Sequence, residues 1–211
     1  MNILIVDDHR IFREGLERML RIDLNVVHVF HAENGLEALS KIEMYRPDIV
    51  FMDIQMKEMN GIDATFEACL KFPSIKIIAL TQCEDIFHVL KMVNSGAMGF
   101  LIKTSTSIDE IQEAIKTVTI GKKYYAPELV KLMLEQEEQK KNWLSQNLLS
   151  QREKEIMMLV CKGKNDKKIA DELSLSTRTV EWHRKNIFHK TNTQNVAELI
   201  NMAVSKGLYL P

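Results

Sequence analysis

Five polar residues stand directly behind short apolar runs: Asp7 and Asp8 after residues 3–6, Asp53 after 49–52, Thr81 after 75–80 and Lys103 after 99–102. Three carboxylates brought together repel one another and raise each other's pKa unless a cation is present. Such a cluster favours a hard, oxygen-seeking divalent ion such as Mg²⁺. Beside that charge Asp53 has the chemistry of a nucleophile towards phosphorus. The Lys103 ammonium would neutralise charge on the moving phosphoryl oxygens, and the Thr81 hydroxyl would donate a hydrogen bond to the same group. Taken singly, each residue reads equally well as a helix N-cap or a plain strand terminus. What singles them out is that all five stand at the ends of strand-like runs.

The elements that must position them are regular. Runs 3–6, 26–30, 49–52, 75–80 and 99–102 are short, rich in Ile, Val and Phe, and read as five strands. Between and after them, 10–21, 35–45, 62–72, 85–95 and 107–119 repeat apolar residues at intervals of three and four, as in Ile86, Val89, Leu90 and Val93, and read as helices. This alternation predicts an α/β doubly wound five-stranded parallel sheet with right-handed crossovers, whose ligands bind at the carboxyl ends of the strands. The five polar residues occupy those ends. Three domain segments follow: 1–120, a partly helical linker 121–148 that starts GKKYYAP, and an all-helical segment 149–211. In the last, 151–162, 166–173, 177–190 and 196–206 read as four helices with no strand signal among them.

The wordings LIVDDH, IVFMDIQMKEMNG, IIALT and AMGFLIK resemble, in order and spacing, the receiver domain of two-component response regulators, a flavodoxin-like fold, over residues 1 to about 120. The resemblance implies Asp53 as phosphoacceptor and Mg²⁺ held by Asp7, Asp8, Asp53 and the Gln55 main-chain carbonyl. It further implies Lys103 as phosphate partner and Thr81 as switch hydroxyl. Phe100 matches the family's rotating aromatic, expected to turn inward when the phosphoryl group draws Thr81 away; it reads equally as a core strand aromatic. Three residues depart from the family pattern. Lys57 stands where Pro is usual, placing a flexible cation beside the acid site. Gln82 replaces a small residue and would narrow phosphodonor access or position a water. Thr104 stands where many receivers have Pro.

Residues 166–173, the turn 174–176 and residues 177–190 have helix-turn-helix proportions, with Ser176 placed as N-cap of the second helix. A three-helix unit of this size serves DNA or protein binding equally. Lys164, Lys167, Lys168, Arg178, Arg184, Lys185 and Lys190 around it favour a polyanion. The charge balance agrees: residues 1–120 carry 12 basic and 18 acidic side chains, whereas 149–211 carry 11 and 7. The wording LSQREKEIMMLVCKGKNDKKIADELSLSTRTVEWHRKNIFHKTN resembles the LuxR/NarL/FixJ type of helix-turn-helix, making 177–190 the recognition helix of a four-helix DNA-binding domain. That resemblance directs Glu181, Trp182 and Lys185 at base edges, and Lys168, Thr179, His183 and Lys190 at phosphates or packing, with Arg178 also meeting phosphates. Glu181 stands where Lys is common and accepts from cytosine N4, which would shift sequence preference. Thr191 replaces a usual Leu and would loosen the helix end. The fourth helix, 196–206, is the usual dimer contact of such proteins, and its apolar seam fits simple packing equally.

Together these features predict a transcription factor, not a dedicated enzyme. A phosphoryl group on Asp53, received from a sensor histidine kinase or a small phosphodonor, would drive homodimerisation and binding to double-stranded DNA. Two alternatives compete. A phosphatase of the haloacid dehalogenase type also uses an aspartate nucleophile and Mg²⁺, but it carries a second Asp two residues on, where this chain has Gln55. A regulator that keeps the fold but ignores phosphate would rest on Lys57 and Gln82. The opening MNILIVDDHR has too short an apolar run for a signal segment or membrane span, so no membrane partner and a cytoplasmic location are expected. Cys69, Cys83 and Cys161 are odd in number and widely spaced, which predicts free thiols and neither disulfide nor zinc.

Overall fold

The computed structural model describes residues 1–82, 86–146 and 149–209. Cys83, and Asp85 at the expected start of the fourth helix, lie outside the described residues. The chain divides into two compact units, Met1–Leu132 and Met133–Pro211.

In the first unit β1 (Asn2–Val6), β2 (His28–Ala32), β3 (Ile49–Asp53), β4 (Lys76–Thr81) and β5 (Gly99–Ile102) alternate with α1 (Arg10–Asp23), α2 (Gly35–Tyr45), α3 (Gly61–Lys71), α4 (Ile86–Asn94) and α5 (Ile108–Thr119). Every pairing is parallel. The interiors of the central strands β1, β3, β4 and β5 are apolar because helices cover both sheet faces. On one face Ile3, Ile5, Phe51, Ile78 and Leu101 pack with Leu20 of α1 and Ile111 of α5 in one buried cluster. Each such aliphatic burial contributes about 1.5–3 kcal/mol. Helices start where polar side chains cap them: Asn34, Asn60 and Ser107 each accept a hydrogen bond from the backbone N–H three residues on.

The sheet has six strands where five were expected. β6 (Tyr124–Tyr125) lies within the expected linker and pairs with β5, giving the order β2-β1-β3-β4-β5-β6. Two tyrosines suit a pleated surface, and their pairing covers the edge that β5 would otherwise leave open. β2 starts two residues later than expected, because Asn25 turns the chain in the left-handed region (φ 54°) and the Val26 N–H closes onto the Leu20 carbonyl. Val26 is buried in the core without belonging to the strand.

The helix α6 (Pro127–Gln146) follows β6, and α7 (Gln151–Cys161), α8 (Asp166–Leu173), α9 (Thr177–Thr191) and α10 (Val196–Ser205) form the second unit. Ile156, Ile169, Val180, Ile187 and Leu199 close its core, and Trp143 of α6 packs against them. The segment 121–148 is therefore no plain linker: its start joins the sheet of the first unit and its Trp143 joins the core of the second. Thr191 does not loosen α9. Its hydroxyl donates back to the Ile187 carbonyl at 2.8 Å, and the helix runs through Thr191 to a left-handed cap at Asn192. Cys69 and Cys161 are free thiols, and burial pushes the Cys161 pKa up to about 11, which leaves it protonated and inert. Among the described residues no helix is long and apolar enough to cross a membrane.

Candidate functional site

Strand order reverses between β1 and β3, and ligands of doubly wound sheets bind at such a reversal. The register Val6↔Met52 sets Asp7 beside Asp53 at the carboxyl ends of both strands. Asp7 is 0% and Asp53 4% exposed. The end of β3 is held from the other side by α3. A Cβ on Gly61 would lie 1.9 Å from the Asp53 carbonyl oxygen, so only glycine lets the helix approach this closely. Lys103 enters from the end of β5, where its N–H donates to the Thr81 carbonyl at 2.8 Å. Its Nζ stands 2.6 Å from Asp7 Oδ2 and 2.7 Å from Asp53 Oδ2. The ammonium also lies 5.0 Å from the centre of the Phe12 ring.

The electrostatics favour a further cation. Carboxylate oxygens of Asp7, Asp8 and Asp53 and a ring nitrogen of His9 all lie within 4.8 Å of one another. Burial holds the Asp53 carboxyl above the usual carboxylate range and the Asp7 charge adds to this, while the hydrogen bond and charge of Lys103 oppose both. One ammonium facing three carboxylates leaves the cluster acidic, and a donor set dominated by carboxylate oxygen fits a hard divalent ion. The Gln55 N–H points at Asp53 Oδ1 from 3.4 Å.

Two contributors were not singled out in the sequence. His9 Nδ1 lies 3.2 Å from Asp7 Oδ1 and 2.9 Å from Asp8 Oδ1. Arg13, buried on α1, donates to the Asp7 carbonyl and pairs with Glu33 at 2.6 Å, fixing the chain just after β1. A signal for Arg13 existed, since it occupies the apolar stripe of α1 three residues before Leu16 and seven before Leu20.

On α9, Arg178, Glu181, Trp182 and Lys185 follow the i, i+3, i+4, i+7 spacing that puts them on one face, and all four are exposed, Trp182 at 60%. Val180 and Ile187 face the core on the other side. Thr179 belongs to the N-cap, its hydroxyl 2.7 Å from Ser176 Oγ, and His183 is half-buried with its ring edge-on to Trp182. Lys168 is exposed on α8. Lys190 is otherwise engaged: its Nζ reaches both carboxylate oxygens of Glu153, at 2.9 and 2.8 Å, and Glu153 is 3% exposed.

The Glu153 contact fixes the end of α9 to the start of α7, where Glu153 also completes the capping box of Ser150. Burial works against the Glu153 charge, but the hydrogen bonds from Lys190 and Ser150 outweigh it and hold the carboxyl below its ordinary value of 4.5. A depressed folded pKa gives stability that is present above the unfolded value and lost as pH falls through the folded one. Glu153→Ala should therefore destabilise the second unit at neutral pH by about 1–3 kcal/mol, since Lys190 keeps part of its solvation. Thermal unfolding across pH checks this. The deficit should narrow below the ordinary glutamate range, and a deficit independent of pH would contradict the pairing.

The chain matches the family described as Response regulator receiver domain over residues 3–116, and Bacterial regulatory proteins, luxR family, over 147–203. The oxygen regulatory protein NreC of Staphylococcus carnosus is 34% identical over 218 residues, covering 99% of each chain. A solved structure of the two-component response regulator RcsB in complex with DNA is 25% identical, with TM-score 0.60, covering 97% of this chain and 98% of that one. Another, of two RcsB dimers bound to two parallel DNAs, is 25% identical with TM-score 0.58 over 97% and 98%. This chain belongs to the response regulators of the LuxR type. As such it is a regulator of transcription and not a dedicated enzyme, and the phosphatase alternative, lacking a second Asp at Gln55, falls away.

The departures from the family pattern in the first unit are all exposed. Lys57, Gln82 and Thr104 face solvent. Lys57 joins Asp8, Gln55, Asn60, His88 and Lys91 around an open cavity of about 510 Å³ beside the acidic cluster. Phe100 is placed as a core strand aromatic: it is 0% exposed, and its ring stacks on Tyr125 of β6, centroids 5.1 Å apart and planes within 2° of parallel. The sixth strand thus supplies the ring against which Phe100 packs.

Proposed function

We propose that Asp53 of this response regulator accepts a phosphoryl group and that its state sets the affinity of the second unit for duplex DNA. The observation that carries this reading is the Lys103 ammonium bridging Asp7 and Asp53 at the strand ends, against a cluster of three carboxylates. Asp7, Asp8 and Asp53, with the Gln55 main-chain carbonyl, would hold Mg²⁺, which when bound neutralises charge on the phosphoryl oxygens. A carboxylate oxygen of Asp53 attacks phosphorus, an O–P bond forms, and the bond from phosphorus to the donor breaks with its electron pair leaving on the donor. The donor is the phosphohistidine of a sensor kinase or a small acyl phosphate, and the open cavity beside Asp8 gives it room to approach. Lys103 moves its charge onto the new phosphoryl oxygens, and the Thr81 hydroxyl donates to one of them.

The second unit meets DNA through α9, with Glu181, Trp182 and Lys185 at base edges and Arg178, Lys168, Thr179 and His183 towards the backbone. Lys190 serves instead to hold the helix in place. A single head of this size covers about half of a two-fold site, so the phosphorylated protein acts as a homodimer. Its work on DNA places it in the cytoplasm.

Acetyl phosphate with Mg²⁺ should add roughly 80 Da, one phosphoryl group, to the intact mass of the wild type and nothing to Asp53→Asn. Equal uptake by both proteins, or by neither, would refute the assignment.

A further inference from the structure

The sixth strand ties the phosphoacceptor site to the start of α6 at three points. First, β6 is hydrogen-bonded to β5 itself: the Tyr124 N–H donates to the Met98 carbonyl at 2.9 Å and the Ala126 N–H to the Phe100 carbonyl at 3.0 Å. Second, the Tyr125 ring lies flat on Phe100 of β5, three residues before Lys103, which directly follows that strand. At about 3.3 Å per strand residue that is roughly 10 Å along the backbone from Lys103, whose ammonium bridges Asp7 and Asp53. Third, Ser105, two residues after Lys103, donates its hydroxyl to Glu128 Oε2 at 2.6 Å in the first turn of α6. Ala126 and Leu129 are buried, so the start of α6 is packed into the unit as well as hydrogen-bonded to it.

Building on the reading that Asp53 is phosphorylated, we propose that Tyr125 is a positioning residue that passes the state of Asp53 from β5 to α6. A new phosphoryl group withdraws Lys103 from Asp7 and takes the Thr81 hydroxyl. Both residues end strands that pair with each other, Thr81 on β4 and Lys103 just after β5. Phe100 is buried and lies flat against Tyr125, so a displacement of β5 meets that ring directly. It passes through the Phe100 and Tyr125 stack into β6, and through Ser105 into Glu128. A strand pair and a packed ring transmit a shift because a close-packed interior does not deform gradually.

The test uses the full chain with acetyl phosphate and Mg²⁺, phosphoryl content verified by intact mass, and duplex affinity measured with and without the phosphoryl group. Tyr125→Leu keeps apolar bulk but loses the stack, whereas Tyr125→Phe keeps both. Tyr125→Leu should take up the phosphoryl group as the wild type does, yet show a gain in DNA affinity smaller by about 3- to 30-fold, the usual reach of residues that couple two sites. Tyr125→Phe should restore the wild-type gain, which a merely structural role for the hydroxyl-bearing ring would not separate from uptake. Should Tyr125→Leu fail to fold, Ser105→Ala removes only the exposed tie and should also reduce the gain. A wild-type gain in whichever of these two variants folds overturns the relay and leaves the phosphoacceptor reading standing. A wild type that takes up the phosphoryl group with no gain at all overturns both.

Discussion

Lys103→Met is expected to take up phosphoryl groups at Asp53 about 10² to 10³ times more slowly than the wild type, the usual cost of removing one preorganised charge or donor from a reacting centre. Methionine keeps most of the apolar stem of the side chain while deleting the ammonium and its contact with the Phe12 ring. The loss has two sources. The phosphoryl oxygens lose a cation, and Asp53 loses the charge that opposes the effect of burial and of Asp7 on its pKa. More of Asp53 is then protonated and unable to attack. Raising the pH should recover the second part and not the first, so the rate ratio narrows with alkali without closing. Stability should move the opposite way. A carboxyl whose folded pKa is raised costs stability as pH climbs through that value, so the variant should be less stable than the wild type at neutral pH and regain ground on acidification. Time-resolved intact mass measures the uptake, and an unchanged rate would remove Lys103 from the chemistry.

The parts of this response regulator that were legible in its sequence are those set by local pattern. Parallel strands buried on both faces appear as largely apolar runs, and the five runs fall on β1 to β5 with ends shifted by at most two residues. Asp7, Asp8, Asp53, Thr81 and Lys103 were legible as a group because strand ends in a doubly wound sheet converge. What escaped depends on contacts distant in sequence. β6 is two residues long and has no period of its own; only pairing with Gly99 and Phe100 makes Tyr124 and Tyr125 a strand. The same pairing brings Tyr125 against Phe100, a contact that neither residue's neighbours in sequence announce. Lys190 reads in the sequence as a phosphate contact or a packing residue alike, because its partner Glu153 lies 37 residues away. Trp143 sits in a charged helix whose pattern marks it as linker, and only the assembled core of the second unit shows what it packs on. Arg13 is legible from helical spacing alone, because a charge within the apolar stripe of α1 needs a buried partner, here the Asp7 carbonyl.

The claim that joins both units is that one phosphoryl group on Asp53 governs DNA binding. Its electrostatic component follows from the basic excess of residues 149–211, so duplex affinity should fall steeply with salt in either state. Its regulatory component is a difference between states at fixed salt. A site coupled to a distant event commonly shifts affinity by about 5- to 150-fold, enough to turn a mostly monomeric population into a mostly dimeric one on DNA. The most direct measurement is therefore the affinity of the full chain for an inverted-repeat duplex, together with its sedimentation, before and after phosphoryl uptake verified by mass. The phosphorylated wild type should sediment as a larger species and bind within that range more tightly, and Asp53→Asn should show neither change. Equal affinity and equal sedimentation with the phosphoryl group in place would instead make this a receiver-fold transcription factor that ignores phosphate.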